Sequence, residues 1–240
     1  MDAILLAGGK ATRLYPVTMF MPKQLMMVNG RPVIEYIIEH LKNNGVNRII
    51  LCISDNKFQS HFTNALGDGS RFGVEIVFST TPETYGTAGR VAAATKYVNN
   101  NFVVYYGDII TDFSLRQMLD EHETNSDKKG LCTLAITNNN RLEFGVALCD
   151  KSDGRILKFK EKPLLYEVTE HYANCGIAAC TKDIVRFCTE EGDFFGDAMP
   201  LAMVSGMEVF GYDVGKSMFF DVGTFSSLES ILKTMSMTKS

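Results

Sequence analysis

The segment Ala7-Gly8-Gly9-Lys10-Ala11-Thr12-Arg13-Leu14-Tyr15-Pro16 brings two glycines, a hydroxyl and a guanidinium close together, and Lys23 follows. Backbone N–H groups beside glycines can cradle phosphate oxygens, arginine grips such oxygens bidentately, and lysine serves as a point charge. Neither common glycine motif is present: Lys10 is followed by Ala11 instead of Ser or Thr, and no third glycine completes a dinucleotide fingerprint. Two carboxylates stand further along. Asp108 follows Gly107 after the apolar run Phe102–Tyr106, and Asp221 lies between Phe220 and Val222, just before Gly223. Two acids completed by phosphate oxygens and water suit Mg²⁺. Glu161-Lys162-Pro163 closes the strand-like run Ile156–Lys160. Taken singly, the acids and the triplet read more readily as turns or strand ends, and each cation as a solvated surface charge. The glycine segment gains weight from its predicted place at the ligand-binding edge of a sheet.

That edge follows from the elements around it. Short β-branched runs at Asp2–Ala7, Arg48–Ser54, Val74–Ser79 and Phe102–Gly107 alternate with helical patterns, which predicts a mainly parallel sheet covered by helices on both faces. One helix is expected from about Arg31 to Asn44, with Pro32 in its first turn, an apolar stripe of Val33, Ile34, Ile37, Ile38 and Leu41, and Gly45 at its end. Another is expected from about Thr87 to Val98. Right-handed crossovers set the loops after the strands' carboxyl ends along one side, where open α/β sheets bind ligands. The chemistry is therefore expected at Gly8–Lys23 and Gly107–Asp112. After Gly130 the pattern turns hairpin-like, with strands at Leu131–Thr137, Gly145–Cys149, Arg155–Lys160 and Tyr172–Cys180, then helices near Asp183–Cys188 and Phe225–Met235. No linker divides the halves, about 1–125 and 130–240, so the reading is a single three-layer αβα domain over residues 1–240 with a mixed, mainly parallel sheet.

Composition narrows the classes. The 240 residues are 45% hydrophobic and 22% charged, with 20 glycines and 6 prolines, which excludes disordered, collagen-like and low-complexity chains. A net charge of −4 cannot draw in a polyanion over long range, so nucleic acid is not an expected partner. Any bound phosphate must be held by local groups. No apolar run reaches the roughly 18–20 residues of a membrane span, no secretory signal fits the N-terminus, and the expected location is the cytoplasm. Six scattered cysteines without a C-x-x-C pair read as reduced, buried and inert, and four distant histidines argue against zinc.

With these residues in view, the chain resembles the sugar-1-phosphate nucleotidylyltransferases. Their opening signature, approximately G-G-x-G-[ST]-R-L-x-P-x-T followed by P-K, matches Gly8, Gly9, Thr12, Arg13, Leu14, Pro16, Thr18, Pro22 and Lys23. The match continues in family order through Gly86-Thr87-Ala88-Gly89, Gly107-Asp108, Phe144-Gly145-Val146, Glu161-Lys162-Pro163, Asn174-Cys175-Gly176 and Asp221-Val222-Gly223-Thr224. The resemblance implies a Rossmann-like fold and an enzyme that joins a nucleoside triphosphate to a glucose or mannose 1-phosphate, releasing pyrophosphate. It implies Arg13, Lys23, Asp108, Lys162 and Asp221 as catalytic residues, with Asp108 and Asp221 holding Mg²⁺ or another divalent cation. The nucleotide would lie against Leu6, Ala7, Gly8, Gly9, Thr12, Arg13 and Gly86, and the sugar phosphate against Gly145, Glu161, Lys162 and Asn174.

Several positions depart from the family pattern. Ala11 replaces a small glycine or serine, harmless provided its backbone does not need positive φ. Thr81 stands about where thymidylyltransferases carry a base-reading glutamine. Pro22-Lys23-Gln24-Leu25 is thymidylyltransferase-like, whereas Gly86-Thr87-Ala88-Gly89 and Ile109-Ile110-Thr111-Asp112 are closer to mannose-1-phosphate guanylyltransferases, so the base stays open. The oligomeric state, a homo-oligomer included, stays open too. Two alternatives remain beside the enzyme: a non-catalytic relative that senses nucleotide sugars, and transfer to a non-sugar phosphate such as phosphocholine.

Overall fold

Of the strands expected from the first half of the chain, those at Asp2–Leu6, Arg48–Ser54 and Phe102–Tyr106 are buried on both faces, as parallel strands flanked by helices must be, while the one at Glu75–Thr81 ends the sheet and exposes Glu75 and Thr80. The computed structural model describes residues 1–9, 11–54, 58–126, 130–139, 146–149, 156–160, 163–169 and 171–237, of which 146–149, 156–160 and 234–237 are described by their backbone. In chain order the strands are β1 (Asp2–Leu6), β2 (Met27–Val28), β3 (Arg31–Pro32), β4 (Arg48–Ser54), β5 (Glu75–Thr81), β6 (Phe102–Tyr106), β7 (Ile109–Thr111), β8 (Gly130–Thr137), β9 (Val146–Cys149), β10 (Ile156–Lys160), β11 (Ala173–Cys180), β12 (Glu208–Asp213) and β13 (Phe219–Asp221). The α-helices are α1 (Val33–Asn43), α2 (Gln59–Leu66), α3 (Thr87–Ala94), α4 (Leu115–Ser126), α5 (Met199–Val204) and α6 (Phe225–Met237).

Seven strands form one sheet in the order β12-β8-β11-β6-β1-β4-β5. Only β11 runs against its neighbours, pairing antiparallel with β6 and β8, so the sheet is mixed and mainly parallel as expected. Alternate side chains of each strand go to opposite faces. Ala3 and Leu5 of β1 join α1, α2, α4 and α6 on one side, while Ile4 and Leu6 join α3 and α5 on the other, giving the three-layer αβα arrangement. Each fully buried Leu or Ile side chain contributes about 1.5–3 kcal/mol, so the central strands carry much of the burial energy that holds the fold.

The structure corrects several boundaries. The first helix starts at Val33, because Arg31 and Pro32 pair with Val28 and Met27 across a two-residue turn. Asn29 and Gly30 form that turn, both at positive φ, and the Asn-Gly pair was the sequence signal for it. The α-helix begun at Thr87 stops at Ala94 and continues as a 3₁₀ turn to Tyr97. Residues Lys182–Phe187 are 3₁₀ and not α-helical. The second half is only partly hairpin-like: β9 and β10 pair with each other, but β8, β11 and β12 extend the same sheet as the first half. Cys52, Cys132, Cys175 and Cys180 are buried free thiols, and burial pushes Cys52 and Cys175 up to about 12, which keeps them inert.

One buried group makes stability pH-dependent. His122 of α4 is 1% exposed, its Nδ1 lies 3.1 Å from Thr133 Oγ1, and its Nε2 makes no hydrogen bond. Burial pushes its pKa down to about 4 from an ordinary 6.5. Between those values the unfolded chain binds a proton that the folded chain refuses, so stability falls as pH drops through that window and is unaffected by this group above it. The urea midpoint should therefore be lower at pH 4.5 than at pH 7.5, and the difference should shrink in His122→Gln. An equal difference in parent and variant would assign the acid sensitivity to other groups.

Candidate active site

At the carboxyl end of β1 the backbone is first tied down and then released. Ala7 N–H donates to Cys52 O at 2.9 Å, and Gly107 N–H donates to Leu6 O at 2.9 Å, which fixes the exits of β1 and β6 side by side. Gly8 and Gly9 then line a cavity of about 690 Å³ whose other walls include Lys23, Gly86 and Asp193. Three 3₁₀ turns, Thr12–Leu14, Val17–Met19 and Lys23–Leu25, carry the chain along the cavity, anchored by buried Leu14 and Leu25. Ala11 enters the first of them in the left-handed region at φ 44°, so the condition for a harmless alanine is not met. That conformation costs an L-residue about 1–2 kcal/mol. Thr18 Oγ1 donates to Ala11 O at 3.0 Å and helps to hold it.

The cations and acids meet beside this cavity. Lys23 Nζ forms an ion pair with Asp108 Oδ2, both side chains largely shielded from water. Asp221 is brought there by an antiparallel pairing of β13 with β7 that sets Asp221 opposite Ile109, and Val222 N–H donates to Asp108 O at 2.8 Å. Thr111 Oγ1 donates to Met218 O at 2.6 Å, and Asp112 Oδ1 accepts from Met218 N at 2.7 Å, clamping the other end of the pair. Arg13 projects from its exposed turn toward the same place. A Cβ on Gly223 would lie 2.8 Å from Asp221 Oδ1 and 2.9 Å from Arg13 Nη2, so a larger residue there would push one of these side-chain ends aside. Burial of the carboxyl and then the neighbouring Asp108 carboxylate raise the Asp221 pKa, against the pull of Lys23 and Arg13, although Asp221 as a residue is exposed and solvent weakens the effect.

The opposite wall is built from the start of α3 and the chain before α5. Gly86 N–H donates to Glu190 O at 2.8 Å and Ala88 N–H to Gly192 O at 2.9 Å. The backbone of Glu191 and Gly192 presses so close to Gly86 that a Cβ there would collide with it. Asp193 ties the wall together: Oδ1 accepts from Phe195 N and Gly196 N at 3.0 and 2.7 Å, and Oδ2 accepts from Thr87 Oγ1 at 2.9 Å.

The residues expected from sequence thus fall into groups. Arg13, Lys23, Asp108 and Asp221 come together, while Ala7, Gly8, Gly9 and Gly86 line the cavity. Lys23 belongs to both sets. Leu6 is 5% exposed, with its side chain in the core and its carbonyl taken by Gly107, and Thr12 is exposed on the first turn. Asn174 stands exposed on β11, its Oδ1 accepting from Gly176 N at 2.9 Å. Gly145, Glu161 and Lys162 lie outside the described residues. Sequence reasoning missed Ser54, Tyr85, Arg90 and the Glu191–Asp193 segment, all of which line the cavity. Ser54 ends a recognised strand and could have been found from that edge rule; the others carried no local signal.

The carboxylate pair also bears on a metal. Among the described residues no group of three or more His, Cys, Asp or Glu side chains is arranged to hold an ion. Asp108 and Asp221 stand close enough that the Asp108 carboxylate raises the Asp221 pKa, with Lys23 and Arg13 beside them. Two carboxylates with space for phosphate oxygens and water are a donor set that fits Mg²⁺.

Comparison with known proteins covers nearly the whole chain. The sequence pattern of the family described as nucleotidyl transferase matches residues 2–237. A UTP–glucose-1-phosphate uridylyltransferase of Synechocystis sp. is 27% identical over 230 residues, covering 89% of this chain and 58% of the relative. Mannose-1-phosphate guanylyltransferase 1 of Arabidopsis thaliana is 33% identical over 171 residues, covering 69% and 46%. The chain spans about half the length of such relatives. Among solved structures, an inositol-1-phosphate CTP transferase from T. maritima superposes with a TM-score of 0.69 at 22% identity, covering 97% of this chain and 96% of that one. A Bacillus anthracis protein solved with sucrose reaches 0.76 at 23% identity, covering 98% and 95%. At these identities the likeness shows the fold. No helix among the described residues is long and apolar enough to cross a membrane.

Proposed function

The chain belongs to the nucleotidyl transferase family, and on that premise we propose that it joins a nucleoside triphosphate to a hexose 1-phosphate. An oxygen of the sugar phosphate attacks the α-phosphorus in line, the bond from that phosphorus to the β-phosphate's bridging oxygen breaks, and pyrophosphate leaves. Bringing two polyanions together calls for positioning and positive charge instead of a covalent nucleophile. The observation that carries this reading is the convergence of Lys23 and Arg13 with the Asp108–Asp221 pair beside the cavity lined by Gly8 and Gly9.

In this reading Arg13 and the Gly9 backbone grip the departing phosphates, Lys23 faces the α-phosphate, the Leu6–Gly8 backbone lies near the base and ribose, and Gly86 closes over the base. Asp108 and Asp221 would hold a divalent cation, which supplies positive charge to the phosphate oxygens when bound. Gly145, Glu161, Lys162 and Asn174 are assigned to the sugar phosphate on the family resemblance. The names of the relatives divide between uridylyl and guanylyl transfer and between glucose and mannose. Pyrophosphate release from each of five triphosphates with glucose 1-phosphate or mannose 1-phosphate, in Mg²⁺, tests the reading. One or a few pairs should turn over far above the rest. Binding of nucleotide sugars with no pyrophosphate from any pair would make the chain a sensor, and turnover with phosphocholine alone would move the acceptor outside the sugars.

A further inference from the structure

Arg90 of α3 is 3% exposed, yet its side chain lines the cavity. Its guanidinium bridges two segments. Nε donates to Tyr85 O at 3.1 Å, just before Gly86, and Nη1 lies against Gly8 on the facing wall, where a Cβ would collide with it and would lie 3.1 Å from Ser54 Oγ. The backbone is held as well, since Arg90 N–H donates to Gly86 O at 3.1 Å and Cys52 Sγ lies 3.6 Å from Arg90 O. Nη1 itself is buried and makes no hydrogen bond. A buried cationic donor without an acceptor is costly, and native structures rarely keep one without a reason. Arg90 lines a cavity, so an acceptor brought by a ligand would satisfy the donor.

The place of the guanidinium tells which part of a ligand it meets. The Arg90 guanidinium meets Tyr85 O and Gly8, whereas Lys23 meets Asp108 and Arg13 meets the Gly223 backbone beside Asp221. Arg90 thus lies away from the cluster assigned to the phosphates. It lies between Gly8 and the Tyr85-Gly86 step, the two segments that the proposed function gives to the nucleoside. Resting on that reading, we propose that Arg90 is a specificity-determining residue whose Nη1 donates to an exocyclic carbonyl oxygen of the nucleobase, favouring guanine, uracil or thymine over adenine. Arginine suits this task because its donors are fixed in a planar fork and it stays charged when buried.

The test pairs a change in the protein with deletion of one base atom. The parent and Arg90→Met are compared on the preferred triphosphate and on its deoxo analogue, 2-aminopurine riboside triphosphate for GTP or pyrimidin-2-one riboside triphosphate for UTP. In the parent, removing the oxygen should cost about 10- to 100-fold in kcat/KM, mostly through KM. Arg90→Met should lose a similar factor on the natural triphosphate and show no further loss on the analogue, with ATP nearly unchanged. A parent indifferent to the oxygen, a parent that prefers ATP, or a variant that keeps the discrimination would each overturn the inference. If Arg90→Met does not fold, Arg90→Lys takes its place, and the analogue comparison on the parent still decides. If the parent releases no pyrophosphate at all, the proposed activity fails while the same comparison by calorimetric nucleotide affinity still judges Arg90. A parent that binds no nucleotide overturns both.

Discussion

Asp221→Asn should lower turnover by about a thousandfold or more while leaving the melting temperature unchanged or slightly higher. The kinetic expectation follows from the proposed reaction, in which a carboxylate ligand beside the α-phosphate is removed; losing about 4 kcal/mol of transition-state stabilisation corresponds to three orders of magnitude. The stability expectation has the opposite sign. Burial and Asp108 raise the folded pKa of Asp221 above its unfolded value, so the ionised form is a burden on the folded state at neutral pH. Its replacement by a neutral amide relieves that burden. Asp108→Asn should be as slow but less stable, because Lys23 loses its countercharge. Pyrophosphate release and thermal unfolding, measured on each variant with Mg²⁺ and with excess EDTA, separate the outcomes. Full activity of either variant in EDTA would sink the metal assignment, and a large fall in the melting temperature of Asp221→Asn would make that residue structural.

Arg13→Ala and Lys23→Ala should each slow turnover by about 30- to 1000-fold, the loss of roughly 2–4 kcal/mol from a charge-assisted phosphate contact once the bound substrates cover the site. Arg13 stands exposed on a 3₁₀ turn held by its own backbone bonds and by buried Leu14, so its side chain is not needed for folding. Its variant should melt within a degree or two of the parent. Lys23 differs, since its removal leaves Asp108 facing Asp221 without the cation paired to it. A moderate loss of stability in Lys23→Ala, recovered in part by adding Asp221→Asn, would show that the repulsion is the cause. Near-parental kinetics in both single variants would reduce the glycine segment to a turn at the end of a strand.

What the sequence by itself determined is local and periodic. Parallel strands buried on both faces leave largely apolar runs, so β1, β4 and β6 could be read with small errors at their ends, and β5 at the sheet edge from its short β-branched and aromatic run. The amphipathic stripe of α1 was equally plain, although its start was misplaced because the Asn29-Gly30 turn commits Arg31 and Pro32 to a small hairpin. Glycines and cations at the exit of β1 could be placed at the ligand edge by crossover handedness alone.

Tertiary structure decided what those residues face. Asp108 and Asp221 meet through β7 and β13, three-residue strands too short to show any alternation, so nothing in their spacing announced the pairing. The left-handed backbone of Ala11 and the capping of Gly86 by Glu190–Gly192 are likewise set by how distant segments close on one another. Arg90 is the sharpest case. On a helix whose Ala88, Val91 and Ala94 face the core, a charged side chain beside them reads as solvent-facing. Its burial exists only because α3 lies against the ends of β1 and β4, where Gly8 has no Cβ to push the guanidinium away. A linear pattern records which residues are apolar and at what period, whereas the partner of a buried polar group is fixed by the meeting of chains far apart in sequence.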